Sequence, residues 1–223
     1  MKFNNGCWLE KEHTECFFPK QAYFTKVETD KVTICAPTGY IANRGCTLGG
    51  INLTLIISSP MEGVIRVQTY HHMGVLKKTP EFDLELTQAI PLDVTDSEDM
   101  ISIKSGSLSL EITKKTWSMA YKRDGKVISK SSGRDLALMK TNWKGDAYDK
   151  GDIENTYMRQ QLSIGVGELI YGTGERFSPF VKNGQSIDIW NEDGGTSTDQ
   201  SYKNIPFYLS NRGYGVLVNH PEN

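Results

Sequence analysis

The residues best equipped for chemistry lie between Gly165 and Asp199. The stretch opens Gly165-Val166-Gly167-Glu168, continues Tyr171-Gly172-Thr173-Gly174-Glu175-Arg176-Phe177, and reaches Trp190-Asn191-Glu192-Asp193-Gly194-Gly195. Three chemistries compete for it. Phosphate binding by Gly165-x-Gly167 or Gly172-x-Gly174 needs a glycine turn that opens a helix, whose amino end then faces the anion. Pro179 and Gly184 follow instead, so these glycines read better as bends within a β fold. Calcium would need six to eight oxygens from a compact loop, and Asp188, Glu192, Asp193 and Asp199 do not follow the spacing of such a loop. The third chemistry is sugar recognition, which wants a carboxylate for hydroxyl hydrogens and a flat aromatic for the ring's C–H face. Trp190 and Asp193 supply both, and Gly194-Gly195 lets the backbone turn so that the carboxylate can project. The competing reading makes Trp190 a core residue and Asp193 a turn residue bonded to its own backbone.

Elsewhere the polar residues suggest less. His71 and His72 are adjacent, so in a strand they would point to opposite faces and chelate poorly; a surface position suits them. Glu175 and Arg176 could form a loop-fixing ion pair or a surface pair of little worth. His13, His71, His72 and His220 do not assemble into a Ser-His-Asp arrangement. The four cysteines, Cys7, Cys16, Cys35 and Cys46, contain no Cys-x-x-Cys pair and are expected to be free or buried thiols. No metal site and no cofactor is expected.

The elements that must position these residues are strands. Val32–Cys35, Ile51–Ile57 and Val64–Val67 are short and β-branched. Met100–Lys104 and Leu108–Ile112 alternate apolar and polar across Ser105-Gly106, which predicts a hairpin with one buried face. Trp117–Tyr121 keeps the same period and meets Asp124-Gly125, a dipeptide suited to a tight turn at positive φ, before returning through Lys126-Val127-Ile128. Phe207–Leu209, Asn211-Arg212-Gly213 and Tyr214–Val218 form another hairpin. No amphipathic helix of ten residues stands out, and many short strands argue for a sandwich or barrel. Residues 140–155 read as a long loop. The sequence stops directly after a strong strand, where a natural terminus can fall but a cut end is expected at least as readily; a cut would leave a sheet edge without its next partner.

Length and composition fit this. A chain of 223 residues suits one all-β domain and buries roughly 70% of its unfolded surface. With 38% hydrophobic and 23% charged residues and a net charge of −2, it is an ordinary globular composition. It lacks the basic stripe expected of a nucleic-acid binder and the apolar run of a membrane-spanning helix. Met1–Glu12 lacks the pattern of a secretory leader, so a cytoplasmic location is expected.

The joined motifs from Gly165 to Phe177, Trp190-Asn191-Glu192-Asp193-Gly194-Gly195-Thr196-Ser197-Thr198, Tyr202–Tyr208 and Asn211–Pro221 resemble the N-terminal domain of glycoside hydrolase family 31. Within that family the likeness runs to bacterial α-xylosidases. It is dense from Gly165 to Pro221 and looser at Ser59-Pro60-x-Glu62-Gly63 and Lys104–Leu108. The resemblance implies an all-β, antiparallel, galactose-mutarotase-like β-sandwich over residues 1–223, with a catalytic (β/α)8 barrel to follow. It implies a parent enzyme that retains configuration on α-linked xylosides or glucosides. One aspartate attacks the anomeric carbon and a second acid protonates the leaving oxygen, both from the barrel. No catalytic residue is therefore expected within Met1–Asn223. The resemblance makes Asp193 a substrate-binding residue on a loop covering the barrel mouth, supported by Trp190, Asn191, Gly194 and Gly195. Glu192 stands where the likeness commonly carries a basic residue, a departure that bears on leaving-group preference. The expected partners are an α-xyloside or α-glucoside oligosaccharide and the barrel of the same chain, with self-association into a homo-oligomer left open. Two other classes compete. A stand-alone carbohydrate-binding or mutarotase-like module would need its own site, for a mutarotase an acid–base pair, and an assembly domain would need a subunit-facing patch.

Overall fold

The computed structural model describes residues 2–4, 7–9, 14–48, 50–72, 90–143, 153–192 and 200–220. Its contacts divide the chain into two compact units, Met1–Ser163 and Ile164–Asn223. Among the described residues the regular structure is strand apart from one 3-10 turn, Arg44–Leu48, and every strand-to-strand pairing is antiparallel.

In the first unit, β1 (Lys2–Asn4) pairs with β2 (Cys7–Leu9), and β3 (Thr14–Phe17) follows. A four-stranded sheet is a meander of β4 (Phe24–Val27), β5 (Lys31–Pro37), β6 (Asn52–Ser58) and β7 (Arg66–Tyr70). A five-stranded meander comprises β8 (Asp93–Asp96), β9 (Met100–Ser105), β10 (Leu108–Thr113), β11 (Ser118–Arg123) and β12 (Lys126–Ser131). Then β13 (Leu136–Trp143) pairs with both β3 and β14 (Ile153–Gln160).

The alternation in the sequence becomes the core. Val32, Ile34 and Ala36 of β5, Leu53, Leu55 and Ile57 of β6, Ile101 and Ile103 of β9, and Leu110 and Ile112 of β10 are all fully buried. They join one cluster with Met119, Leu136 and Leu138. The two meanders thus turn one apolar face each into a shared interior, and the intervening residues stay outside, as a strand period of two requires. Both predicted hairpins form, the first turning one residue later than Ser105-Gly106. Register Leu108↔Ser105 leaves Gly106-Ser107 as a two-residue connection. Register Arg123↔Lys126 leaves Asp124-Gly125, whose φ angles of 50° and 75° are both positive, as a type I′ turn needs.

The segments around Ser59 and Ser105, where the family resemblance is looser, meet in space. Ser59 Oγ and Ser105 Oγ lie 2.7 Å apart, Ser59 Oγ donates to the Met61 carbonyl at 2.7 Å, and Gly63 N donates to Ser105 Oγ at 3.1 Å. Both serines are buried, so this clasp satisfies hydroxyls that burial would otherwise penalise.

Two expectations are corrected. The loop expected over residues 140–155 is strand at both ends, with Lys140↔Thr156 and Trp143↔Ile153 in register; residues 144–152 lie outside the described residues. The polar sequence hid strands whose pairing is long-range. Cys16 is disulfide-bonded rather than a thiol, whereas Cys35 and Cys46 are free. Spacing along a chain does not show which cysteines the strands bring side by side. His71 and His72 are exposed, as expected, with His71 Nδ1 3.1 Å from the Asn52 carbonyl.

Candidate functional site

The second unit is a three-stranded sheet in the order β15 (Ile170–Gly174), β16 (Asn204–Ser210), β17 (Tyr214–Leu217). The hairpin read from Phe207–Val218 is β16–β17, closed at Gly213. Gly172, Thr173 and Gly174 all take positive φ, at 114°, 70° and 92°. Here the ladder slips: Gly172 faces Tyr208 and Gly174 faces Asn204. Three residues of β16 therefore oppose one of β15, and Pro206 falls within the bulge, where its missing N–H breaks no regular ladder bond. A Cβ on Gly174 would stand 2.1 Å from the Lys203 carbonyl oxygen, so only glycine fits. The glycines that could have suggested a phosphate loop mark a bend and a close backbone approach.

That bend leads into the root of the candidate sugar loop. Asn191 and Ser201 form an isolated parallel bridge, Glu192 N donates to the Ser201 carbonyl at 3.0 Å, and Gln200 Nε2 donates to Glu192 Oε2 at 2.7 Å. Asn204, the first residue of β16, ties both ends of the loop together. Its Nδ2 lies 2.6 Å from the Trp190 carbonyl, 3.0 Å from Asn191 Oδ1 and 2.7 Å from the Ser201 carbonyl, while its backbone N donates to Asn191 Oδ1 at 3.1 Å. Arg176 adds a strut: Nη2 donates to Asn204 Oδ1 and, at 2.5 Å, to the Asp188 carbonyl. Glu175 pairs with Lys203 at 2.7 Å, both side chains well exposed. That bond and its charge lower the Glu175 pKa and raise that of Lys203.

Trp190 is 54% exposed, which removes the reading of it as a core residue. Trp190 borders a hollow of about 370 Å³ that is also lined, among the described residues, by Ile189, Asn191, Asn204, Pro206 and His220. Trp190 and Asn191 are thus brought to one place with residues that sequence reasoning did not single out, Asn204 and His220. Asp193, Gly194 and Gly195 lie outside the described residues. Among the described residues no group of three or more His, Cys, Asp or Glu side chains is placed to hold a metal ion.

Glu168 was also missed by sequence reasoning. Its side chain is fully buried, and its carboxylate accepts from Gly165 N (2.6 Å), Ser210 Oγ (2.5 Å) and Tyr214 OH (2.5 Å), with Arg212 Nε at 3.5 Å. Burial pushes the carboxyl pKa up, but these hydrogen bonds and the Arg212 charge outweigh it and hold the group below its ordinary value. Burial and the neighbouring carboxylate push the phenols of Tyr214 and Tyr208 up. A carboxylate whose oxygens are already engaged by these donors is suited to holding the 165–168 turn against the β16–β17 hairpin. The only local signal was a glycine-flanked Glu among apolar residues.

The profile of the glycosyl hydrolase 31 N-terminal galactose mutarotase-like domain matches residues 54–223. The chain is 39% identical over 220 residues to alpha-xylosidase XylQ of Lactiplantibacillus pentosus, covering 98% of this chain and 27% of that protein. It is 37% identical over 233 residues to an alpha-xylosidase of Emericella nidulans, covering 99% and 30%. Among solved structures, the cycloalternan-forming enzyme of Listeria monocytogenes, in complex with a pentasaccharide substrate, superposes with a TM-score of 0.67. It is 18% identical, over 92% of this chain and 18% of that one. The chain spans less than a third of the length of the curated relatives it matches.

Proposed function

Because this chain belongs to the glycosyl hydrolase 31 family, as its N-terminal galactose mutarotase-like domain, we propose that it serves a longer retaining α-glycosidase of the α-xylosidase kind. In that enzyme it packs on the catalytic barrel and supplies a substrate-covering loop, and the barrel breaks the glycosidic bond. The observation that carries this reading is 39% identity to an α-xylosidase across 98% of the chain.

The geometry supports the loop's part. Asn204 and Arg176 fix both ends of a segment that begins at a half-exposed tryptophan and carries Asp193. A loop pinned at its root loses less entropy when a substrate orders it. In this reading the Asp193 carboxylate accepts hydrogen bonds from sugar hydroxyls, and the attacking carboxylate and the proton donor come from the rest of the protein.

The test is kinetic and uses the longer enzyme. Asp193→Ala is expected to raise KM or lower kcat/KM about tenfold or more, as losing a charge-assisted hydrogen bond of roughly 1.5–3 kcal/mol implies. Unchanged kinetics on α-xylosyl oligosaccharides would take Asp193 out of the site.

A further inference from the structure

The loop root holds one side chain whose hydrogen-bonding capacity is fully engaged. A primary amide offers two N–H donors and one carbonyl acceptor. The Nδ2 of Asn204 faces three oxygens: the Trp190 carbonyl at 2.6 Å, the Ser201 carbonyl at 2.7 Å and Asn191 Oδ1 at 3.0 Å. Its Oδ1 accepts from Arg176 Nη2. Turned over, the amide would set its N–H groups against the guanidinium, donor to donor, and its carbonyl against three acceptors. The partners therefore dictate which way the amide points.

Arg176 is itself held from the other side. Gly172, Thr173 and Gly174 all have positive φ, a conformation that a β-branched residue such as Thr173 rarely adopts. Arg176 Nε donates to the Thr173 carbonyl at 3.3 Å, and Nη2 donates to the Asp188 carbonyl at 2.5 Å. The far end of the loop is tied to the same stretch. Ser201 is only 5% exposed; its Oγ donates to the Glu175 carbonyl at 2.5 Å and accepts from Lys203 N at 3.1 Å. The bulge fixes Arg176, Arg176 fixes the Asn204 amide, and the amide fixes Trp190, Asn191 and Ser201.

We infer that Asn204 is a positioning residue for the glycosidase reaction, acting through the loop rather than on the substrate. Its N–H groups, aimed by Arg176, hold Trp190, Asn191 and Ser201 at one spacing, so that less order has to be created when substrate binds. This rests on the proposed substrate-covering role of that loop. It adds that donor character at position 204, and not packing there, sets the affinity for substrate.

Asn204→Asp separates donor character from packing. Aspartate has the same shape, keeps an acceptor for Arg176, and puts a second oxygen against the three acceptors. In the 223-residue chain, the Glu192 amide donates to the Ser201 carbonyl, and its hydrogen exchange should be about tenfold faster in this variant. Unchanged exchange in the β16–β17 hairpin shows that the variant is folded. In the longer enzyme, KM for α-xylosyl oligosaccharides should rise about tenfold with little change in kcat. The same substitution should add little in an Asp193→Ala background, since both act through one loop. Arg176→Lys keeps the charge and loses the fork; it should move both readouts in the same direction and by less. A folded Asn204→Asp protein with wild-type KM and wild-type Glu192 exchange overturns the inference. So does a full effect of Asn204→Asp in the Asp193→Ala enzyme. Affinity lost in Asp193→Ala but kept in Asn204→Asp would overturn this inference alone, and affinity kept in both would overturn the loop reading with it.

Discussion

Glu168 shows how much a single residue's role depends on partners far away in sequence. Ser210 and Tyr214, which donate to its carboxylate, lie 42 and 46 residues further on. Nothing near Glu168 announces them, so its burial was not legible. Asp193 and Trp190 were readable as a carboxylate and an aromatic at close spacing, and the structure decides the exposure of Trp190. The Glu168 network makes a pH prediction. Its folded pKa is depressed, so the stability it contributes is fully present above the unfolded-state value of about 4.3. That stability is lost as pH falls through the lower folded value. Glu168→Gln is expected to destabilise the second unit by roughly 1–3 kcal/mol at pH 7, with the gap to wild type narrowing under acid. Urea unfolding followed through the amides of β15–β17 at neutral and acid pH measures both. Equal losses at the two pH values would show that the charge of Glu168 contributes nothing.

At the scale of elements, the three predicted hairpins all form, at Asp124-Gly125 and Asn211-Arg212-Gly213 as read and at Gly106-Ser107, one residue beyond the turn read at Ser105-Gly106, because turn chemistry and alternation are local properties. Strands β13 and β14 were partly misread as loop because their Lys, Thr and Asn residues carry no alternation. Their backbone pairing holds them instead. The Gly172–Gly174 bend was legible as glycine punctuation, and its reason was not: a neighbouring backbone occupies the space a Cβ would take. Gly174→Ala is accordingly expected to cost well over 2 kcal/mol, from strain and overlap together. Gly184 has φ of 75° but nothing within 4 Å of a built Cβ, so Gly184→Ala should cost only about 1 kcal/mol. Paired thermal denaturation curves compare them, and equal shifts would remove the close approach as the cause.

The whole molecule sets the limits on activity. Retaining glycoside hydrolysis needs two carboxyl groups about 5–5.5 Å apart across the scissile bond. The chain covers only 27–30% of the length of its α-xylosidase relatives. The 223-residue chain by itself is therefore expected not to hydrolyse aryl α-xylosides or α-glucosides; turnover that copurifies with it and is absent from blank preparations would refute this. Self-association, if light scattering reveals it, would first have to be separated from pairing at the outer edge of β17. The sequence by itself determined the β class, the main hairpins, the alternating core of the first unit and the family, because side-chain period and turn chemistry are set within a few residues. Only the tertiary structure decided which polar groups are buried together, that Asn204 and Arg176 hold the root of the loop, and that Trp190 and His220 border one hollow. Those outcomes depend on contacts between strands far apart in the chain, which no local pattern specifies.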